Sequence, residues 1–241
     1  MVYTFPDRVA AMRMPQGQSV EPGPSGGIIT AIETQERDPE RVSVFLDGAF
    51  AFGIKRLVAL ERGLAVGDEL TPDHVAALRS LDEQMKAVDA ALRLLARRPR
   101  SEREVRDRLR RKGYPPETID AVVARLLHRQ YLDDEAFARY WVDHRERNRP
   151  RGRRLLEQEL RQKGVAREVI QRTIDETELD EAMAAVQLGR AKLTTYAGLE
   201  PAVARRRLGA YLIRRGYGHD VVRSALDQLL GESADDGGEA P

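Results

Sequence analysis

A mainly α fold is predicted, three tandem three-helix repeats preceded by a small β-containing module, on three observations. The hexapeptide Leu109-Arg-Arg-Lys-Gly113-Tyr114 recurs as Leu160-Arg-Gln-Lys-Gly164-Val165 and as Leu212-Ile-Arg-Arg-Gly216-Tyr217. Apolar residues keep register around each glycine: Val105, Leu156 and Leu208 eight before, Ile119, Ile170 and Val222 six after, Val123, Ile174 and Leu226 ten after. Such spacing gives one apolar stripe on an incoming helix and another on an outgoing one. The third observation lies upstream, where Asp47-Gly48 separates two alternating runs, the strongest short hairpin signal.

The glycine ends the first helix of each pair, because the left-handed conformation of a helix C′ residue is strained by a Cβ. In a Schellman ending the next residue packs back one turn, here Tyr114 on Leu109, Val165 on Leu160 and Tyr217 on Leu212, all apolar pairs. Three copies in register predict units that bury their cores by packing together.

Taken in order, residues 1–27 hold four prolines and few apolar side chains and are expected to be a disordered tail. Residues 28–70 form the small module, with strands at Ile28–Thr34, Arg41–Leu46 and Ala49–Gly53. A short helix at Ile54–Arg62 closed by Gly63 follows, then a last strand or turn at Leu64–Leu70. A module this small is marginal alone and should lean on its neighbour. Thr71-Pro72 starts a long helix with an N-cap and a first-turn proline, and its stripe runs from Val75 to Leu95. The second half of that helix opens repeat one, assigned with it to residues 71–130; repeats two and three take 131–178 and 179–230. The acidic segment 231–241 is expected to be a disordered tail.

Within repeat one, Ser101 and Glu104 predict a capping box. Val105 and Leu109 turn inward, so at 100° per residue Arg103, Arg106 and Arg110 form an outer ridge with Arg111 beside it and only Asp107 to offset it. Repeat two opens on an acidic cap before Phe137 and Trp141, which read as core, with nucleobase stacking by Trp141 as the alternative. Its loop carries Arg145, Arg147, Arg149, Arg151, Arg153 and Arg154 into a helix start, offering phosphate both charge and free backbone N–H groups. Repeat three departs: Arg206, Gly209 and Ile213 stand where repeat one has its three ridge arginines, and the segment Gly189–Pro201 is longer.

The net charge of +1 conceals segregation, because residues 87–230 hold 31 basic against 22 acidic side chains and both flanks are acidic. A basic body points to a polyanionic partner, although 35 arginines against five lysines would also follow from a GC-rich genome. The residues assigned to that contact are Arg103, Arg106, Arg110, Arg111, Lys112, Arg149, Arg151, Arg153, Arg154, Arg161, Lys163, Arg206, Arg214 and Arg215. Catalysis is not expected. There is no glycine-rich phosphate loop, no His-Glu-x-x-His and no cysteine, and His74, His128, His144 and His219 share no context. No cofactor or metal is called for, and the absence of an apolar leader or a long apolar run predicts a cytoplasmic protein without a membrane partner.

Arg100-Ser-Glu-Arg-Glu-Val-Arg-Asp-Arg-Leu-Arg-Arg-Lys-Gly-Tyr114, Leu132-Asp-Asp-Glu-Ala-Phe-Ala-Arg-Tyr140, Arg149-Pro-Arg-Gly-Arg153 and Leu160-Arg-Gln-Lys-Gly164 follow in order. Together they resemble the signature of the RecX family of bacterial recombination regulators, over roughly residues 85–230. Residues 28–70 resemble the β-containing extension some members carry. The resemblance implies a curved chain of three-helix units, acting as a monomer, that binds the groove of the RecA–DNA filament. It further implies limited filament growth, suppressed ATP hydrolysis and strand exchange, and contact with single- and double-stranded DNA in DNA repair and the SOS response. No catalytic residues come with it. The rival reading is a stand-alone, sequence-nonspecific DNA binder, against which Glu117 and Asp120 stand, opening the last helix of repeat one with acid where a recognition helix needs base-reading groups.

Overall fold

A computed structural model describes residues 23–177 and 179–235. The expected tails lie outside these residues up to 22 and from 236 onward. Two compact units divide between Glu83 and Gln84.

In the first unit β1 (Gly27–Gln35), β2 (Asp38–Leu46), β3 (Ala49–Lys55) and β4 (Glu69–Leu70) form an antiparallel sheet in the order β3-β2-β1-β4. Asp47 and Gly48 both have positive φ, 49° and 82°, as a two-residue hairpin turn demands. Helix α1 (Arg56–Glu61) begins two residues later than predicted, because Ile54 pairs with Val42 in the ladder and is fully buried there.

Helix α2 (Pro72–Leu95) crosses the division between units. Its first turns belong with the sheet: Val75 and Leu78 are buried, Arg79 donates to the Ala51 carbonyl at 2.9 Å, and Asp82 pairs with Arg41 at 2.9 Å. The sequence ends the module at Leu70, but a single sheet needs a second layer to bury its face, and α2 supplies it.

The second unit holds α3 (Glu102–Arg111), α4 (Pro116–His128), α5 (Asp134–Asn148), α6 (Arg153–Gln162), α7 (Arg167–Glu176), α8 (Glu181–Leu193), α9 (Pro201–Arg214) and α10 (His219–Asp235). These make three three-helix domains with separate cores. The end of α2 joins α3 and α4 around Val105, Leu109 and Leu126; Phe137, Leu156 and Ile174 centre the second; Leu208, Leu212 and Tyr217 centre the third. Gly113, Gly164 and Gly216 have φ of 86°, 87° and 93°. In each turn the residue after the glycine donates its N–H five residues back, Tyr114 to Leu109, Val165 to Leu160 and Tyr217 to Leu212, completing the Schellman pattern.

Repeat three differs in length for a visible reason. A 3-10 turn at Thr194–Tyr196 follows α8, and α9 has fourteen residues where α3 and α6 have ten. Gly189 is buried against Leu229, and Gly209 faces Leu226 of α10, so the position that carries Arg106 in repeat one is turned to the repeat's own last helix. Helix α10 continues to Asp235, so the disordered tail expected from 231 begins, within the described residues, as the last turn of this helix.

Candidate nucleic-acid interface

The three cores do not merge, so the repeats are joined by polar contacts, and the same joint is built twice. At the first, Ser101, twelve residues before Gly113, donates its hydroxyl to the carbonyl of Lys163 at 2.7 Å, and the Glu102 N–H donates to Asp134 at 2.7 Å. At the second, Gly152, twelve before Gly164, donates its N–H to the carbonyl of Arg215 at 2.9 Å, and the Arg153 N–H donates to Glu181 at 2.8 Å. In both, the residue before the next repeat's glycine accepts from a helix cap, and a carboxylate from the next repeat satisfies the first free N–H of that helix. Repeat three ends the series with Pro201 at its first helical position, which has no N–H to satisfy.

This corrects one expectation. At the start of α6 the Gly152 and Arg153 N–H groups are not free for phosphate, because Arg215 and Glu181 of repeat three already accept from them. The capping box is also only half formed: Ser101 accepts from the Glu104 N–H at 3.2 Å, while the Glu104 carboxylate takes Arg98 at 3.1 Å and Lys163 at 2.6 Å. Lys163 therefore ties repeat two to repeat one.

The fourteen predicted cations fall into three groups. Arg106 is held by Glu102 and by Asp120, so the ridge is offset by more than Asp107. Arg153 is held by Glu157 and Asp175, Arg151 lies 3.7 Å from Glu159, and Arg215 lies over the Tyr211 ring. Arg110 and Arg103 are looser, 2.8 Å and 3.9 Å from Asp107 and both well exposed, and the stem of Arg103 also covers Gly164. Arg111, Lys112, Arg149, Arg154, Arg161, Arg206 and Arg214 are exposed, with no carboxylate partner among the described residues.

Arg154 and Arg161 stand ten and three residues before Gly164, the same offsets as Arg103 and Arg110 from Gly113, so the outer faces of repeats one and two repeat their charge. Arg206 keeps the first of these positions in repeat three, and Ile213, 37% exposed, replaces the second. An exposed guanidinium bound to no carboxylate breaks no ion pair when it meets phosphate, whereas Arg106 or Arg153 must first break one.

Trp141 is engaged. The Arg145 and Lys163 cations lie 4.5 Å and 4.9 Å from its ring centre, and its indole N–H donates to Glu159 at 2.9 Å. It packs against the core of repeat two beside Lys163, neighbours that favour the core reading over nucleobase stacking.

Glu104 makes the first joint sensitive to pH. Burial alone would raise its pKa, but hydrogen bonds from Arg98 and Lys163 outweigh that and hold it below the usual carboxylate value. A depressed carboxyl stabilises the fold above its unfolded pKa, and that contribution is lost as pH falls through the folded value. Glu104→Gln should lower stability by about 2 kcal/mol at pH 7 and flatten the acid side of the stability profile, as read by urea unfolding across pH 3–7. A parallel profile for the variant contradicts this role.

Comparison with known proteins agrees from the β module through the third repeat. Residues 27–71 match the regulatory protein RecX N-terminal domain, and residues 87–126, 133–174 and 180–226 match the first, second and third RecX three-helix domains. Relatives include regulatory protein RecX of Bacillus velezensis, 32% identical over 86% of this chain and 80% of its own, and that of Geobacillus kaustophilus, 35% identical over 83% and 76%. A crystal structure of regulatory protein RecX superposes with a TM-score of 0.68 at 26% identity, covering 83% of this chain and 98% of its own.

Proposed function

The chain belongs to the RecX family of regulatory proteins, and from that premise we propose that it regulates a RecA-type recombinase by binding the groove of the RecA–DNA filament. It would limit filament growth, ATP hydrolysis and strand exchange without chemistry of its own, in the cytoplasm. Among the described residues no helix is long and apolar enough to cross a membrane, and no group of His, Asp or Glu is placed to hold a metal.

The observation that carries the reading is the exposed arginines at equivalent positions of successive repeats, Arg103, Arg154 and Arg206 ten residues before the repeat glycine and Arg110 and Arg161 three before it, of which only Arg103 and Arg110 share a carboxylate among the described residues, Asp107. A lattice of cations on a modular array suits a polyanion held in a periodic assembly. The cations meet DNA, and Ile213, apolar where the other repeats are basic, suits a protein surface at the third repeat.

The test compares affinities at one salt concentration. Contacts to recombinase and DNA reinforce each other through effective concentration, so binding to the RecA–ATP–DNA filament should exceed binding to bare DNA or to free RecA. Strand exchange should fall at substoichiometric amounts of the protein. Equal affinity for filament and bare DNA overturns this reading and leaves a stand-alone DNA binder.

A further inference from the structure

Helix α5 carries a second aromatic feature outside the core cluster of repeat two. Its buried face is Phe137, Ala138 and Val142, and Trp141 is enclosed as described. On another face Tyr140 and His144 stack one turn apart, ring centres 5.8 Å apart and planes 19° from parallel. Asn148, a further turn on, donates to the His144 carbonyl at 3.0 Å and lies 3.2 Å from Nδ1, which steadies the imidazole. His144 is exposed and Tyr140 half-buried, and the Tyr140 hydroxyl has no hydrogen bond among the described residues. One turn earlier stands Ala136, exposed and small, and the imidazole end of the stack is the exposed one.

Arginines stand on both sides, interleaved with the carboxylates Asp143 and Glu146 of the same helix. Arg149, exposed and without a carboxylate partner, caps the same helix, and the Arg100 guanidinium lies within electrostatic range of the Tyr140 hydroxyl. Asp143 beside the pair is answered by Arg147 at 3.8 Å. A preformed aromatic stack flanked by free arginine matches an unpaired nucleotide, whose base offers a π-face and whose phosphate offers charge. A base within a duplex has both faces covered by its neighbours and gains nothing there.

We propose that Tyr140 and His144 form a stacking platform for an unpaired nucleobase, giving the protein a preference for single-stranded over double-stranded DNA. The inference rests on the DNA contact proposed above and deepens it.

The test uses the full chain with a fluorescent oligodeoxythymidine and a duplex of equal length, titrated at several salt concentrations. Tyr140→Ala with His144→Ala should weaken single-strand binding about tenfold, the scale of a single base–aromatic stack. Duplex affinity and the salt dependence of single-strand binding should stay unchanged, since neither side chain neutralises phosphate. Tyr140→Phe, which keeps the ring, should retain wild-type affinity, and a 2-aminopurine base in the strand should be quenched by the wild type and not by the double variant. Unchanged single-strand affinity overturns the platform while leaving DNA binding intact. Equal losses on single strand and duplex, or a shallower salt dependence, overturn it in favour of a general effect on charge or fold, which circular dichroism separates. Weakened filament binding with single-strand affinity intact assigns the pair to a protein surface and also overturns it. A wild-type chain that binds neither DNA removes the underlying reading and the platform with it.

Discussion

Replacing Gly216 by alanine is expected to destabilise the protein by about 3–4 kcal/mol, against about 1 kcal/mol for the same change at Gly113. All three repeat glycines have φ near 90°, so each Cβ meets the same left-handed penalty. Their surroundings differ. Nothing lies within 4 Å of a Cβ at Gly113. At Gly164 it meets the Arg103 side chain, 2.6 Å from Cβ and 2.7 Å from Cδ, which can give way in part. At Gly216 it meets the backbone nitrogen of Leu155 at 2.6 Å and collides with the Leu155 Cβ, and neither can move without parting repeats two and three. Urea unfolding should therefore rank the losses Gly113 below Gly164 below Gly216. Gly152→Ala isolates the steric part. Its φ of −71° is unstrained, yet its Cβ would overlap the backbone of Gly216 and Tyr217, and about 2–3 kcal/mol should be lost to the clash alone. Equal losses at Gly113 and Gly216 contradict the joint as described.

The ranking marks where sequence and structure part. Three glycines in register, with Leu109, Leu160 and Leu212 one turn before them, announce the turns, because a Schellman ending is local and uses residues five apart. Asp47-Gly48 announces its hairpin for the same reason. The joint is not local: Gly152 reads as an ordinary loop glycine until Arg215 and Gly216, more than sixty residues on, are brought against it. A faint signal is present, since Gly152 stands twelve residues before its repeat glycine where repeat one has Ser101, and both are buried caps.

The same limit holds for the charges. Helical spacing correctly turns Arg103, Arg106 and Arg110 outward, but it cannot show that Asp120, on the following helix, reaches back to Arg106, or that Glu159 collects Arg145 and Trp141. Periodicity reports which face a residue occupies. Its partner across the gap depends on how helices cross, which no single helix encodes. Tyr140 and His144 escape detection for a related reason: helical spacing picks out Phe137 and Trp141 as the core aromatics of that segment, and it does not show that Tyr140 and His144 stack on another face.

Neutralising the unpaired cations should have the largest effect on binding and little on folding. Arg111, Arg149, Arg154, Arg161, Arg206 and Arg214 changed together to glutamine remove six charges that hold no carboxylate among the described residues. Each phosphate left without its cation should reduce the slope of log affinity against log salt by about 0.9 on duplex and about 0.7 on single strand. If most of the six meet phosphate, affinity at low salt should fall on the order of 10³-fold, with thermal unfolding nearly unchanged because exposed unpaired arginines contribute little to stability. Changing Arg106, Arg153 and Lys163 to glutamine should do the reverse. Arg106 closes α3 onto Asp120 of α4, Arg153 closes α6 onto Asp175 of α7, and Lys163 bridges to Glu104 of repeat one. Their loss should lower the midpoint of unfolding while the salt slope moves little. A single titration series on both variants, read with unfolding midpoints, decides the matter. If the three paired cations carry the salt dependence instead, phosphate displaces Glu102, Asp120, Glu157 and Asp175 on binding, and DNA contact then rearranges the helix pairs of repeats one and two.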